Sequence, residues 1–276
     1  MPNPKTVSLK TFNLKTLTPL TVARVRSGVI CALVCAATDL DESLREALPR
    51  GRFALIISGP SGIRHRLAFN NGRAVEADKE TSSAVLRFIS VDAMARALGG
   101  GRGTVIPLPL SPMFLKAVKA FVTSSGRVGQ LSSSRDFAND NEKRIVTELL
   151  MTAALRGVAE TAQADSWTAP KSSLMPDGIV ELKVNEDGES EDLTAWILKS
   201  GDLWRAGRGN PPSKANARLS FADMDTAFGL FTGSVAALKV LGTGRVSIRG
   251  KLPMIQILFP LMDRFSEIMK WGKEDE

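Results

Sequence analysis

Catalysis in this chain has very little to work with. His65 is its only histidine, so a Ser-His-Asp or Cys-His arrangement would have to be built around it. It stands in the basic run Arg64-His65-Arg66, which reads as an exposed strand or turn. Cys31 and Cys35 lie four apart, stacked on one helix face where an intrahelical disulfide does not form. They read as reduced, buried thiols of a cytoplasmic protein. One His and two helical Cys make no zinc ligand set, so neither metal nor cofactor is expected. Gly99-Gly100-Gly101-Arg102-Gly103 follows a helix and precedes a strand, the reverse of the order in which backbone N–H groups cradle phosphate. It reads as a loop that permits close packing. The acidic turn from Glu186 to Asp192 lacks the spacing and terminal bidentate Glu of a calcium loop, and reads as a solvated hairpin tip. The chain is expected not to be an enzyme.

The strongest chemical message is apolar. Met254, Ile257, Leu258, Leu261, Met262, Phe265, Ile268 and Met269 follow a three/four spacing, and Ile255 and Phe259 widen the stripe beyond what one sheet face needs. Pro260 lacks the N–H a helix would use there and is expected to kink it. The methionines suit this helix to an adaptable apolar ligand, beside the plainer reading of a last core helix.

Bulk properties narrow the class. Hydrophobic residues make up 43% and charged residues 24%, ordinary globular values. Tyr is absent and aromatics reach only 6%, so the cores must be filled mainly by aliphatic side chains. The longest nearly uncharged apolar run, Gly28 to Ala37, falls short of the roughly 20 residues a bilayer span needs. The net charge is +7, and Lys5, Lys10, Lys15, Arg24 and Arg26 all precede the first acid, Asp39. A basic, acid-free leader can dock on an anionic membrane surface, resemble a transit peptide, or simply be solvated. Aromatics are not interleaved with Arg and Lys on strands as stacking platforms require, so no nucleic acid partner is expected.

The elements that must position these residues can be read in order. Leu17 to Ala37 reads as a helix with Pro19 near its first turn and Val22, Val25, Val29, Leu33 and Ala37 on one face. A short helix follows, with Asp39 placed to cap it and Pro49 to end it. Phe53 to Ile57, Arg66 to Phe69 and Arg73 to Asp78 read as three strands of an antiparallel meander, turned at Gly59-Pro60-Ser61-Gly62 and Asn70-Asn71-Gly72. A fourth strand runs from Ser83 to Ile89, and Ser90 can cap a helix from Val91 to Leu98. Pro107, Pro109 and Pro112 are expected to push the next strand to a sheet edge or to end it early. A helix with Met113, Phe114, Ala117, Val118 and Phe121 on one face follows. Residues 124–140, rich in Ser, Gly, Asn and Asp, read as a linker. Beyond it, Asn141 to Glu160 reads as a helix answering to Leu17–Ala37, and strands, a helix capped by Asp223, a last strand at Val246-Ser247-Ile248 and a helix opened by Pro253 complete the chain.

The chain thus says the same thing twice. Leu86-Arg87-Phe88, Asp92 and Gly100 answer to Leu219-Ser220-Phe221, Asp225 and Gly233 at an offset of 133 residues. Gly103, Val105 and Pro112-Met113 answer to Gly244, Val246 and Pro253-Met254 at 141, so the later copy holds eight extra residues after its shared glycine. A repeat on this scale implies duplicated domains. The boundaries fall at a basic leader over 1–16, a first domain over 17–123, the linker over 124–140 and a second domain over 141–276.

In each half, this succession of helix, meander, Leu-x-Phe strand, helix, glycine, short strand and apolar helix resembles the sterol carrier protein family, the non-specific lipid-transfer fold. The closest local match is Leu219-Ser220-Phe221-Ala222-Asp223-Met224-Asp225, Thr232-Gly233 and Gly244-Arg245-Val246-Ser247-Ile248-Arg249-Gly250-Lys251-Leu252. The first half departs where Pro107, Leu108 and Pro109 replace Ile248, Arg249 and Gly250. The resemblance implies an α+β protein of two tandem sterol-carrier-like domains, each a mostly antiparallel five-stranded sheet covered by helices. It further implies a non-catalytic role in lipid binding and transfer, with a fatty acyl, sterol or isoprenoid ligand enclosed between sheet and C-terminal helix. A pocket of roughly 300–1,000 Å³ for such a ligand needs little polar chemistry. Its lining would be Phe221, Phe228, Ile248, Met254, Ile257, Leu258, Leu261 and Phe265, with Trp196 added. A second pocket would use Phe88, Met94, Leu98, Ile106, Phe114, Val118 and Phe121. Implied partners are the lipid, an anionic membrane touched from the cytoplasm and a lipid-metabolising enzyme. Two alternatives stay open. One is a scaffold presenting a lipid intermediate such as a quinone precursor, since Leu17-Thr18-Pro19 looks like the helix start of similar bacterial proteins of quinone synthesis. The other is an enzyme on a lipid-like substrate using carboxylates such as Asp223 or Asp225.

Overall fold

The computed structural model describes residues 16–77, 84–108, 111–134, 136–185, 192–235 and 242–271. The leader up to Lys15 and the acidic turn over 186–191 lie outside them. Helix α1 (Pro19–Leu40) starts because the Thr18 hydroxyl accepts from the Thr21 N–H and Pro19 needs no helical donor. Val22, Val25, Val29, Leu33 and Ala37 are all buried along it. By length and composition α1 could cross a bilayer, yet most of its apolar surface is inside the protein, as in a core helix. Helix α2 (Glu42–Ala47) is capped by Asp41, whose carboxylate accepts from the Leu44 N–H. Asp39, expected in that role, is still inside α1, because α1 runs one turn further than its apolar pattern.

Strands β1 (Arg52–Ser58), β2 (Arg64–Asn70) and β3 (Arg73–Glu76) form the expected meander. The β2–β3 turn has Asn71 at φ 50° and Gly72 at φ 88°, the pair of positive φ values a two-residue hairpin requires. Strand β4 (Ala84–Phe88) returns parallel to β1, helix α3 (Val91–Ala97) begins at the Ser90 cap, and β5 (Val105–Leu108) closes the sheet in the order β3-β2-β1-β4-β5. Pro107 is accommodated on this edge. Helix α4 (Pro112–Ser133) is twice as long as its apolar face suggested. It runs through most of the stretch read as a linker, where Ser124, Val128 and Leu131 are buried in the first core.

The second half repeats the plan. Helix α5 (Asp140–Ala164) is capped by Asn139, and a short α6 (Ala169–Ser173) follows. Strands β6 (Gly178–Val184), β7 (Leu193–Ser200), β8 (Leu203–Arg208), β9 (Ala217–Phe221) and β10 (Val246–Gly250) order as β8-β7-β6-β9-β10. Helix α7 (Met224–Thr232) follows the Asp223 cap, and α8 (Leu252–Lys270) runs on through Pro260. The repeat holds to the residue. Leu55 pairs with Ala84 as Val180 does with Ala217, and Phe88 pairs with Val105 as Phe221 does with Val246. Both sheets are mixed, antiparallel except where β4 meets β1 and β9 meets β6.

The equivalent helices α1 and α5 pack on one another. The first core is completed from the second half by Val146 and Leu149 of α5 and Ile268 of α8. Between them lies a polar knot. Arg156 of α5 reaches Glu76 Oε2 at 3.1 Å and Glu160 Oε1 at 2.9 Å, beside Cys31 and Cys35. Burial, with Glu76 nearby, pushes the Cys35 thiol up to about 12, so neither cysteine is a ready nucleophile.

His65 is half-buried on β2, not exposed as its basic neighbours suggested. Burial first and the Arg156 charge second lower its pKa to about 4. It is neutral in the folded protein near pH 7, and folding loses stability as pH falls from about 6.5, where the unfolded imidazole gains a proton, toward 4. The loss should be on the order of 2 kcal/mol for this one group. Thermal melts from pH 7 to 4 should show a steeper decline in the wild type than in His65→Gln, and parallel curves would contradict this.

Candidate functional site

The second core is apolar from end to end. One face of the second sheet supplies Val180, Leu182, Val184, Leu193, Ala195, Ile197, Ala217, Leu219, Phe221 and Val246. Two helices cover it: α5 contributes Met151, Leu155, Val158 and Ala159, and α8 contributes Met254, Ile255, Leu258 and Leu261. Along the rim, Met224, Leu230, Phe231, Val235, Ile248, Ile257, Phe259 and Met262 are only half-buried.

The proposed lining residues do not all meet there. Phe221, Met254, Leu258 and Leu261 are fully buried in this core, and Ile248 and Ile257 stand at its rim. Phe228 and Phe265 pack instead against the first core. Phe228 meets Phe137 edge-on with ring centroids 5.1 Å apart, and Phe265 lies on α5 where Gly157 has no side chain. Trp196 is on the opposite face of the sheet, because its neighbours Ala195 and Ile197 take the core side and strand side chains alternate. Its ring lies over Gly207 on β8. Spacing gave no warning of Met224, Leu230, Phe231 and Val235 as rim residues. The apolar face of α7 was the signal available.

In the first half, Phe88, Met94, Phe114 and Phe121 are buried in the core with Leu98 and Val118 beside them. Ile106 is exposed and does not join them. It pairs with Arg87 as Ser247 pairs with Ser220, on the outward side of the edge strand. Pro107, not Ile106, is the counterpart of Ile248.

The carboxylates considered for catalysis have structural work. Asp223 Oδ1 accepts from the Thr226 N–H at 2.7 Å. Burial alone would raise its pKa, but the hydrogen bonds from Thr226 and the nearby Arg245 and Lys143 hold it below the usual carboxylate value. A group so placed is a poor general acid at neutral pH. Asp225 is paired with Lys143 of α5. No group of three metal-ligating side chains occurs among the described residues.

Two arginines are buried against expectation: Arg26, counted with the basic leader in the sequence, lies inside α1 at 2% exposure, and Arg264 had no role assigned to it. Arg264 breaks the apolar stripe of α8 yet is fully buried, its Nε 2.6 Å from Asp165 Oδ2 and its Nη1 2.8 Å from Glu267 Oε2, with the guanidinium 5.0 Å from the Trp167 ring centre. Arg26 of α1 donates to the Ala95 carbonyl at 2.6 Å, and through Nη2 to the carbonyls of Ile268, Met269 and Trp271 at 3.1, 3.1 and 2.7 Å. Gly99 makes room for it, since a Cβ there would strike the guanidinium.

Solved sterol carrier protein domains are similar to about two fifths of the chain. Sterol carrier protein 2 from Yarrowia lipolytica in its apo form shares 16% identity, covers 40% of this chain and 90% of its own, and gives a TM-score of 0.31. The sterol carrier protein domain 2 of Helicoverpa armigera shares 16% over 43% and 89%, with a TM-score of 0.32. Sterol carrier protein-2 like-3 from Aedes aegypti shares 15% over 44% and 97%, with a TM-score of 0.29. No family model and no curated protein matches the sequence. The equivalence of the two halves rests on their own strand order and register.

Proposed function

We propose that the protein is a non-catalytic lipid binder whose second half holds an acyl, sterol or isoprenoid chain between the second sheet and α8. The observation that carries this reading is the apolar surface of α8 together with the half-buried apolar rim residues of α7, β10 and α8, read here as the mouth of the site. Met254, Leu258 and Leu261 already fill the space behind that mouth, so a ligand enters as α8 shifts outward. Methionine and leucine side chains can repack around it at small cost. The free thiols, Cys31 buried and Cys35 half-buried, suit a reducing compartment such as the cytoplasm. Peripheral contact with an anionic membrane has a second basis beyond the leader. Residues 93–135 contain no acid, and α4 exposes Leu115, Lys116, Lys119 and Val122.

Native purification followed by solvent extraction and mass spectrometry should yield a co-purifying apolar lipid. Ile257→Lys, at the rim where a lysine can reach water, should strongly reduce that yield while leaving the melting temperature nearly unchanged. No extracted lipid, together with no uptake of fluorescent fatty acid or sterol, would sink the proposal. Lipid retained only when a lipid-metabolising enzyme is present would replace transfer by presentation.

A further inference from the structure

The face of the second sheet turned away from α8 carries a row of chemistry that follows the register across four strands. Trp196 on β7 pairs with Glu181 on β6, Glu181 with Arg218 on β9, and Arg218 with Arg249 on β10. Residues directly opposite one another share a face, so the four side chains stand in line. Glu181 is only 4% exposed, and its Oε2 accepts from Arg218 Nε at 2.7 Å. That leaves the terminal nitrogens of Arg218 for another acceptor. Beyond Arg218 comes a second guanidinium, not a carboxylate. Like charges directly opposite on adjacent strands are destabilising, and the single Glu181 carboxylate offsets only one of the two guanidiniums.

Arg218 and Arg249 together with Glu181, Lys214 and Asn210 line a cleft of about 370 Å³. Three cations against one carboxylate leave it with an excess of positive charge. The other copy of the fold provides the control. At the positions of Glu181, Arg218 and Arg249 the first sheet has Ile56, Val85 and Leu108, placed by the same register. The charged row is therefore no requirement of the architecture but a property of the second copy alone.

We propose that this cleft is an anion site for a phosphate group, held by the terminal nitrogens of Arg218 and Arg249 with Lys214 as a third cation. Paired guanidiniums match phosphate oxygens in geometry, and Glu181 fixes the Arg218 fork by holding its Nε. The phosphate can be free or carried on a lipid headgroup. Because the cleft lies on the opposite side of the sheet from the apolar core, the site stands whether or not that core holds a lipid.

The test uses the full-length protein and inorganic phosphate, followed by calorimetry and thermal melts against chloride at matched ionic strength. Phosphate should raise the melting temperature saturably where chloride does not. Arg249→Gln should weaken phosphate binding about tenfold or more, and Lys214→Gln by less. Arg249→Glu should abolish the phosphate effect and yet raise the melting temperature of the phosphate-free protein, since it converts the like-charge pair into an ion pair. Vesicles of phosphatidylcholine with and without phosphatidic acid separate the two sources. Binding to the acid-containing vesicles without response to free phosphate assigns a headgroup, and response to free phosphate alone assigns a soluble ligand. An unchanged phosphate affinity in Arg249→Gln, or no response to either phosphate source, would overturn the proposal.

Discussion

Asp165→Ala is expected to cost about 3–5 kcal/mol of folding free energy, the usual penalty for stranding one member of a buried ion pair. Arg264 is 2% exposed and Asp165 6%, whereas Glu267, which Arg264 also reaches through Nη1, is largely exposed. The carboxylate of Asp165 accepts from both Arg264 Nε and the Trp167 N–H, so its loss also loosens the turn between α5 and α6. The pair ties the end of α5 to the last turns of α8. Replacing both partners by apolar residues, as in Asp165→Leu with Arg264→Met, should cost much less than either single change, because no charge is then left buried. Urea unfolding of the two single variants and the double variant measures this coupling directly. Equal and additive losses would show that the pair is not linked in the way its geometry implies.

Arg26→Leu should cost about 3 kcal/mol or more. Four carbonyl oxygens lose the guanidinium at once: Ala95 near the end of α3, and Ile268, Met269 and Trp271 where α8 ends, of which Ile268 keeps the Trp271 N–H. Each buried polar group left unsatisfied costs about 1–3 kcal/mol, and water can recover part of that where the site opens. The positive charge also lies at the negative end of the α8 dipole. Arg26→Lys should rescue little, since one ammonium cannot span acceptors on two helices as a planar fork does. The readout that distinguishes this from ordinary core damage is cooperativity. The wild type should unfold in a single transition, because Val146, Leu149 and Ile268 of the second half complete the first core. Arg26→Leu should broaden or split that transition as α8 and α3 lose their common tie. A sharp single transition at an unchanged melting temperature would contradict the role assigned to Arg26.

Much of the fold was legible because its signals are local. The Leu-x-Phe strands, the Ser90 and Asp223 caps and the Asn71-Gly72 turn each declare themselves within a few residues. Two such local matches were enough to align the two copies with one another. Helix α4 was cut short because Ser and Gly dominate its second half, although burial of Ser124, Val128 and Leu131 keeps it helical. The burial of Arg26, read as part of a basic leader, and of Arg264 was invisible for the opposite reason. An arginine on an apolar face looks like an interruption until its partners, Ala95 at 69 positions from Arg26 and Asp165 at 99 from Arg264, are brought beside it. The candidate site was legible in kind but not in detail. Spacing found the α8 stripe, yet it could not tell that Phe228 and Phe265 serve the neighbouring core. Nor could it place Trp196, Glu181, Arg218 and Arg249 in one row, since that depends on strand pairings between distant segments.

The packing of α1 on α5 puts the same element of each copy on both sides of one contact, which is the arrangement of a two-fold dimer. In such a dimer every substitution appears twice, and a residue useful on one subunit is imposed on the other. Joined in one chain, the copies are released from that bond. One sheet could keep Ile56 and Val85 while its twin took Glu181 and Arg218. One terminal helix could show Leu115 and Val122 to the outside while the other shows Gln256, Asp263 and Glu267. Fusion here works as a licence for asymmetry: each half can specialise because the other still supplies what both need to stand.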